Sequence, residues 1–152
     1  MVLVAGAILE QFLETAISSH FEITTEDARP LFDDSVDGPL SSFAQKISLG
    51  YALGVYGSEM RSDMTCIRHI RNAFAHSKER IDFETTEITP IFGRIILPKT
   101  RRFSTLSGNF SQSSTKIFAS TIRLICAYFN DAQRPMKYKG SRFYALLYEL
   151  PP

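Results

Sequence analysis

The chain has 152 residues, of which 44% are apolar and 22% are charged. This composition is typical of one globular domain with a core large enough to fold alone, so we predict a single domain over residues 1–152. The two cysteines, Cys66 and Cys126, do not make a disulfide framework, and we expect a reducing, cytoplasmic location.

The net charge of +1 is unevenly divided along the chain. Residues 1–40 carry eight acidic side chains and one basic one, a balance of −7, whereas residues 41–152 carry sixteen bases and eight acids, a balance of +8. One interpretation is that the two parts neutralise each other within the domain or across a dimer. The other is that the basic part forms an anion-facing surface.

The apolar opening "MVLVAGAIL" predicts the start of a packed helix. No basic residue precedes it and Glu10 follows it, which argues against a signal peptide or a membrane span. We predict this first helix over residues 2 to about 22, with an apolar face made of Leu9, Phe12, Leu13, Ala16 and Ile17. The abrupt start leaves open whether another helix precedes it. Residues 22–40 are acidic and rich in turn formers, and they predict a loop with one short helical turn.

Two further helices follow in the prediction. The second spans residues 41 to about 55, and Gly50 and Gly54 in it favour a close helix contact. The third spans residues 58 to about 75, with Ser58 placed to cap its first turn. Its apolar face is made of Met60, Met64, Ile67, Ile70 and Phe74.

The polar side chains near the end of the third helix fall on two different faces. At about 100° per residue, Arg71 projects among the apolar residues, where a guanidinium needs a partner. We predict that it pairs internally, with an acid of residues 22–37, or opens into a cleft or a subunit interface. Asn72 and His76 share the other face, and His69, which we interpret as a surface or interface residue, lies there too. Because Arg71 and His76 are about 140° apart, a joint site requires the helix to end just before His76, or two copies to pair about a two-fold axis.

Beyond residue 77 the pattern is weaker. Two short alternating runs, broken by Pro90 and Pro98, predict an irregular or β-hairpin excursion around residues 80–105. A helix is predicted over residues 115 to about 130, and the tail predicts a short terminal helix or a strand. Together these elements predict an all-α fold, a four- or five-helix bundle.

Several common catalytic motifs are absent from the sequence. The histidines, His20, His69 and His76, form no metal-ligand cluster of the H-E-x-x-H type. There is no P-loop, no G-x-G-x-x-G segment after a strand and no G-x-S-x-G elbow. We therefore expect no metal and no other cofactor, and neither nucleotide hydrolysis nor serine chemistry.

Two parts of the chain resemble known families. The segment "RNAFAH", residues 71–76, matches the R-x-x-x-x-H signature of the HEPN superfamily, small all-helical domains that often dimerise and, in many members, cleave RNA without a metal. The segment "DGPLSSFAQKISLGYALG", residues 37–54, followed by "IRHIRNAFAHS", residues 67–77, resembles the mannitol operon repressor family, helical proteins usually described as transcriptional regulators. The resemblance covers about residues 3–85.

The resemblance to the HEPN superfamily implies a metal-independent endoribonuclease or toxin-type effector that acts on single-stranded RNA as a homodimer. Its catalytic residues would be Arg71, Asn72 and His76, with the imidazole as acid-base and the guanidinium as the cation that faces the phosphorane. Three further cations would hold the RNA backbone: Arg68, Lys78 and Arg80. A neighbouring antitoxin or nucleotidyltransferase-like gene would accompany this function.

The resemblance to the repressor family implies instead a non-enzymatic regulator that binds a protein partner or DNA. The exposed side of the third helix offers few base-reading residues beyond Arg61 and Arg68, so no helix-turn-helix reader stands out. We therefore expect such a regulator to act through another protein. In that case Arg71 is an internal tether, and Asn72 and His76 cap the end of the helix. Neither function is expected to involve a membrane.

Overall fold

A computed structural model describes residues 1–100 and 113–132, and all of the regular structure in these residues is helical. The helices are α1 (Val2–Ser18), α2 (Thr25–Phe32), α3 (Phe43–Ala52), α4 (Ser58–His76), α5 (Thr89–Phe92) and α6 (Ser114–Ala132). Two short 3-10 helices, Asp34–Val36 and Leu97–Lys99, lie between them. The longer helices α1, α3, α4 and α6 form a bundle, so the prediction of an all-α fold is confirmed.

Helix α1 lies at the centre of the bundle, where it contacts α3, α4 and α6. Its predicted apolar face is confirmed, with Leu9, Leu13, Ala16 and Ile17 buried and Phe12 half-buried. The helix ends at Ser18, earlier than predicted. The side chains of Ser19 and His20 both bind the carbonyl oxygen of Ala16, at 2.7 and 2.9 Å, and so occupy the acceptor that a further helical turn would have used.

The acidic segment after α1 contains a longer helix than the predicted single turn. Thr24 caps α2, because its hydroxyl oxygen accepts a hydrogen bond from the backbone N–H of Asp27 at 3.1 Å. Ala28 and Phe32, four residues apart, are buried on one face of the helix, and the ring of Phe32 stacks on that of Phe21. The cap and this small apolar face stabilise two turns within an otherwise acidic stretch.

Helix α3 begins and ends inside its predicted limits. Ser42 and Gln45 form a capping box, in which each side chain accepts from the backbone N–H of the other residue, at 3.2 and 3.0 Å. The predicted close helix contact is confirmed at Gly50, where a Cβ would lie 3.2 Å from Cδ1 of Leu13 on α1. It is wrong at Gly54, which lies beyond the helix in a left-handed backbone conformation, with φ of +69° and no atom near an added Cβ.

Helix α4 carries the predicted apolar face. Met60, Met64, Ile67 and Ile70 are buried, and Phe74 is half-buried against the core. The predicted cap is wrong. Gly57 occupies the N-cap position, and the hydroxyl of Ser58 donates to the carboxylate of Glu59 at 3.1 Å.

Residues 77–100 contain no strand, so the β-hairpin alternative is wrong for this part of the excursion and the irregular alternative is confirmed. The segment is fastened to α4 by Asp63, whose buried carboxylate accepts from the backbone N–H groups of Ile96 and Leu97 at 2.7 and 2.9 Å. Four of the apolar residues whose alternation suggested strands are instead buried separately in the core: Phe83, Ile88, Ile95 and Leu97.

Helix α6 confirms the helix predicted over residues 115–130, and its buried face contains Phe118, Ile122, Ile125 and Phe129. The hydroxyl of Tyr128 donates to the carbonyl oxygen of Val55 at 2.6 Å, which ties α6 to the connection between α3 and α4. The remainder of the predicted excursion, residues 101–105, and the tail after residue 132 lie outside the described residues. No helix in the described part is long and apolar enough to cross a membrane.

We predict that Asp63→Ala lowers the free energy of unfolding by about 3 kcal/mol or more, because it leaves two backbone N–H groups without their charged acceptor. Urea denaturation followed by circular dichroism measures this change. Asp34→Ala, at an exposed aspartate, is the control and should change stability by less than about 0.5 kcal/mol. Equal denaturation midpoints for the two variants would show that the Asp63 carboxylate does not hold the segment.

Candidate functional site

Arg71 of α4 forms an ion pair inside the domain, which was one of the two predicted alternatives; the other was that it opens into a cleft or a subunit interface. Its Nη1 donates to Oε2 of Glu10 at 2.8 Å. The partner is therefore an acid of α1, and the prediction that it lies in residues 22–37 is wrong. The stem of Arg71 lies flat on α1 at Gly6, where a Cβ would be only 2.8 Å from Cδ of the arginine. Because Gly6 has no side chain, α1 and α4 cross closely enough there for the Arg71 guanidinium to reach Glu10.

Lys46 of α3 completes an interhelical ion cluster with Glu10, Glu14 and Arg71. Its ammonium donates to Oε1 of Glu10 at 3.0 Å and to Oε2 of Glu14 at 2.8 Å. The Lys46 side chain is only 6% exposed and that of Glu10 is 15% exposed, so both charges depend on each other for compensation. The cluster holds two acids and two bases, and it connects α1, α3 and α4.

The interhelical ion cluster also bears on the uneven charge of the sequence. Glu10 and Glu14 belong to the acidic first forty residues, whereas Lys46 and Arg71 belong to the basic remainder. These ion pairs therefore join the two oppositely charged parts within one domain, as the first interpretation of the charge pattern expects.

Asn72 and His76 project away from the interhelical ion cluster. Both side chains are exposed, and neither forms a hydrogen bond with another described residue. Helix α4 continues through His76, so the imidazole stays on the helix rather than turning back after its end. The separation of about 140° from Arg71 therefore remains, and one chain does not bring His76 and the guanidinium together.

The three cations predicted to hold RNA do not lie together: one is on α4 and two follow its C-terminal end. Lys78 and Arg80 are exposed just beyond the C-terminal end of the helix, close to His76 in sequence. Arg80 also borders a largely apolar cavity of about 580 Å³ between the start of α1 and the end of α4. Arg68 is half-buried, about 12 Å before His76 along the helix axis, and its Nη2 lies 3.1 Å from Nε2 of His69.

A concavity lined by polar residues lies on the first half of α4, and the sequence pattern did not indicate it. It has a volume of about 370 Å³ and is lined by Ser58, Arg61, Ser62, Thr65, Cys66, His69 and Arg94. We refer to it as the α4 pocket. A signal was available in part, because Ser58, Ser62, Thr65 and His69 recur at steps of three and four along the helix. Arg94 comes from a distant segment that periodicity cannot connect to this face.

His69 is the titratable imidazole of the α4 pocket. Burial lowers its pKa below the ordinary value of 6.5, and the positive charges of Arg68 and Arg94 lower it further. Since a guanidinium has no acceptor, its contact with Arg68 requires an unprotonated Nε2. The neutral imidazole therefore stabilises the fold at pH values above its ordinary pKa. This stability is lost as the pH falls through the lowered pKa of His69.

The burial of the two cysteines disfavours thiol chemistry, and the described residues form no group of metal ligands. Cys66 and Cys126 are both buried and unpaired, and burial raises the pKa of Cys66 and that of Cys126, the latter to about 12. Such thiols are poor nucleophiles at neutral pH. Among the described residues, no three side chains of His, Cys, Asp or Glu are grouped so that they could hold a metal ion.

Comparison of the chain with models of protein families, with curated proteins and with solved structures found no match. The resemblances to the HEPN superfamily and to the mannitol operon repressor family therefore stay predictions. What the fold establishes is an all-helical protein with an interhelical ion cluster on one side of α4 and a row of exposed polar side chains on the other.

We predict that Glu10 and Arg71 are energetically coupled. In a double-mutant cycle, Glu10→Gln leaves Arg71 without its partner and Arg71→Gln leaves Glu10 with Lys46 alone, so the double variant should be less destabilised than the sum of the two. We expect a coupling of about 1 kcal/mol or more by urea denaturation. Glu14→Gln serves as the control, because the Glu14 side chain is 38% exposed and does not contact Arg71. Additive effects of the two single changes would argue against the tether.

Proposed function

We propose that this chain is a HEPN-like, metal-independent endoribonuclease or toxin-type effector that cleaves single-stranded RNA through Arg71, Asn72 and His76. The observation that carries the proposal is the position of His76. Its imidazole is exposed on the last turn of α4, one turn from the exposed amide of Asn72, while the ion pair with Glu10 fixes Arg71 with 29% of its side chain accessible. Cleavage of a phosphodiester requires an accessible base and a cation held in place.

The reaction needs no group beyond these side chains. The 2′-oxygen of a ribose forms a bond to the adjacent phosphorus, and the bond from phosphorus to the 5′-oxygen of the next nucleotide breaks. His76 takes the proton of the 2′-hydroxyl, and a proton returns to the leaving 5′-oxygen. The products are a 2′,3′-cyclic phosphate and a 5′-hydroxyl. Histidine suits this task because its side chain ordinarily changes charge between pH 5 and 8.

Arginine suits the second task, the stabilisation of the phosphorane. Its planar guanidinium keeps its charge and offers several N–H donors to phosphate oxygens. The hydrogen bond to Glu10 uses only one of the guanidinium nitrogens, Nη1. Asn72, on the same face as His76, is placed to orient the imidazole or to hold a phosphate oxygen. Lys78 and Arg80 lie next in the chain and would attract the RNA backbone without regard to sequence.

Because Arg71 and His76 lie on different faces of one helix, the proposed site is composite. In a symmetric dimer that pairs the C-terminal halves of two α4 helices, His76 of one protomer would face the partner's Arg71 across the two-fold axis. Two equivalent sites would result. The arrangement would also bring Asn72 of each protomer to the interface, which accounts for polar side chains without intramolecular partners on that face.

We predict that the protein is a dimer with twice the 17.2 kDa mass of one chain, as light scattering at micromolar concentration would measure. A composite site also predicts that two inactive variants complement each other. Mixing His76→Ala with Arg71→Gln, each inactive alone, should restore about a quarter of the wild-type rate, because half of the dimers are mixed and each has one intact site. A monomer, or no recovery after subunits have been shown to exchange, would argue against the composite site.

We predict that His76→Ala lowers RNA cleavage by about 10² to 10⁴, the usual size of an acid-base contribution. Cleavage by the wild type should persist in excess EDTA, leave 2′,3′-cyclic phosphate ends and spare a 2′-deoxy analogue. His20→Ala, at another exposed histidine, is the matched control, and circular dichroism checks the fold of each variant. Lys78→Ala should mainly weaken binding and reduce its salt dependence. Equal rates for His76→Ala and wild type would exclude this residue as the catalyst.

A second candidate function is a non-enzymatic transcriptional regulator that acts through a protein partner. The ion pair between Arg71 and Glu10 favours it, because that contact explains a guanidinium on the apolar side of α4 without any substrate. Absence of cleavage by the wild type across many RNAs would favour this candidate. A neighbouring antitoxin or nucleotidyltransferase-like gene would favour the ribonuclease.

A further inference from the structure

The α4 pocket brings together side chains that suit an anion. Arg61 and Arg94 supply two guanidiniums, and His69 supplies an imidazole. Of the three hydroxyls in the lining, those of Ser58 and Thr65 already donate to the Glu59 carboxylate and to the carbonyl oxygen of Arg61, so Ser62 offers the donor for an anion. Among the described residues, no carboxylate lines the pocket, although that of Glu59 adjoins it at Ser58. This is the composition expected where charge-assisted hydrogen bonds hold an anion with several oxygen acceptors.

The walls of the α4 pocket are held in place from within the domain. Arg61 lies over the ring of Tyr51, with its guanidinium carbon 4.6 Å from the ring centre. Arg94 lies two residues before Ile96, whose backbone N–H is bound by the buried carboxylate of Asp63 at 2.7 Å. The Asp63 carboxylate projects from the same helix that supplies Arg61, so this anchor holds the backbone beside Arg94 against α4. The backbone that carries the two arginines is therefore in place without a ligand, which limits the entropy lost on binding.

The electrostatic surroundings of the α4 pocket are positive. Arg94 and Arg68 both act on His69 to lower its pKa, after the larger effect of burial. Burial raises the pKa of the Cys66 thiol, and the Asp63 carboxylate raises it further. The positive charges of Arg94 and Lys99 lower it. A negative ligand entering the pocket would offset this charge and favour protonation of His69.

We infer that the α4 pocket binds a phosphate group, through the guanidiniums of Arg61 and Arg94, the imidazole of His69 and the hydroxyl of Ser62. The volume of about 370 Å³ exceeds what one phosphate fills, which leaves room for a neighbouring part of a nucleic-acid strand. A lone phosphate ester has the same recognition chemistry, and the two sources are separated by experiment.

The position of the pocket relates it to the proposed cleavage site. His69 and His76 are separated by seven residues, which is about 10 Å along the helix axis and an angular offset of about 20°. The α4 pocket and His76 therefore occupy one face of α4. As an RNA-docking site the pocket rests on the proposed function, but its capacity to bind phosphate does not.

The binding test uses probes that cannot be cleaved, so that it is independent of catalysis. The first probe is inorganic phosphate, and its readout is the imidazole signal of His69 in a proton NMR titration. The second is a fluorescein-labelled 2′-deoxy oligothymidylate of twelve nucleotides, followed by anisotropy. The variants are Arg61→Ala and Arg94→Ala, with Arg29→Ala, an exposed arginine of α2, as the matched control. Circular dichroism confirms that each is folded.

We expect phosphate to raise the pKa of His69 in the wild type and in Arg29→Ala, and to have little effect on it in Arg94→Ala. Loss of one of the two guanidiniums should weaken oligonucleotide binding about tenfold and reduce the slope of log K against log salt by about 0.7. His20→Ala, at an exposed histidine outside both sites, should bind the oligonucleotide as the wild type does. Because the oligonucleotide is not cleaved, this test of the pocket holds even if no RNA is cleaved.

The outcomes separate the two sources of phosphate. If inorganic phosphate shifts His69 but Arg61→Ala and Arg94→Ala bind the oligonucleotide as tightly as the control, the α4 pocket accepts small phosphate compounds and not a strand. If both probes depend on the two arginines, the pocket takes the backbone of a nucleic acid. If neither probe responds to the arginine variants, the inference is overturned.

Discussion

The carboxylate of Glu10 in α1 accepts hydrogen bonds from Lys46 of α3 and from Arg71 of α4. Because one carboxylate serves both cations, the register of three helices depends on its position. Lys46 is almost fully buried, so a shift of α1 along either neighbour would leave a desolvated charge without compensation. Apolar packing in the bundle would tolerate small slides, but this shared acceptor specifies one arrangement. The orientation of α4, with its apolar side inward and its polar side outward, follows from the same constraint.

The sequence predicted the helices that bury long apolar faces. In α1, α4 and α6, residues at steps of three and four identify both the helix and its inner side, because burial itself imposes this period. The prediction failed where local chemistry decides the outcome. The end of α1 depends on side chains that bind a single carbonyl oxygen, and the start of α4 uses Gly57 rather than Ser58. The segment after α4 alternates like a strand but is held by Asp63, and a partner so distant in sequence leaves no periodic signal.

The candidate site was predictable to a similar extent. Projection at about 100° per residue placed Arg71 inward and Asn72 and His76 outward, and the structure has them so. It could not identify Glu10 as the partner of Arg71, because that contact joins residues 61 positions apart across a helix crossing. The α4 pocket was missed for the same reason, since Arg94 enters it from another segment. Contacts within one helix follow from spacing, whereas contacts between elements require the fold.

At Gly6, where α1 crosses α4, a residue of one helix controls the position of a side chain on the other. The stem of Arg71 rests on bare backbone there, so the size of the residue at position 6 sets how deeply the guanidinium lies between the helices. A methyl group at this point would move the arginine outward, away from Glu10 and toward the solvent. The accessibility of a cation on α4 is thus governed by a residue on α1 that no ligand of that cation would touch. Homologous chains that differ in size at this position would present the same arginine at different depths, with the sequence of α4 unchanged.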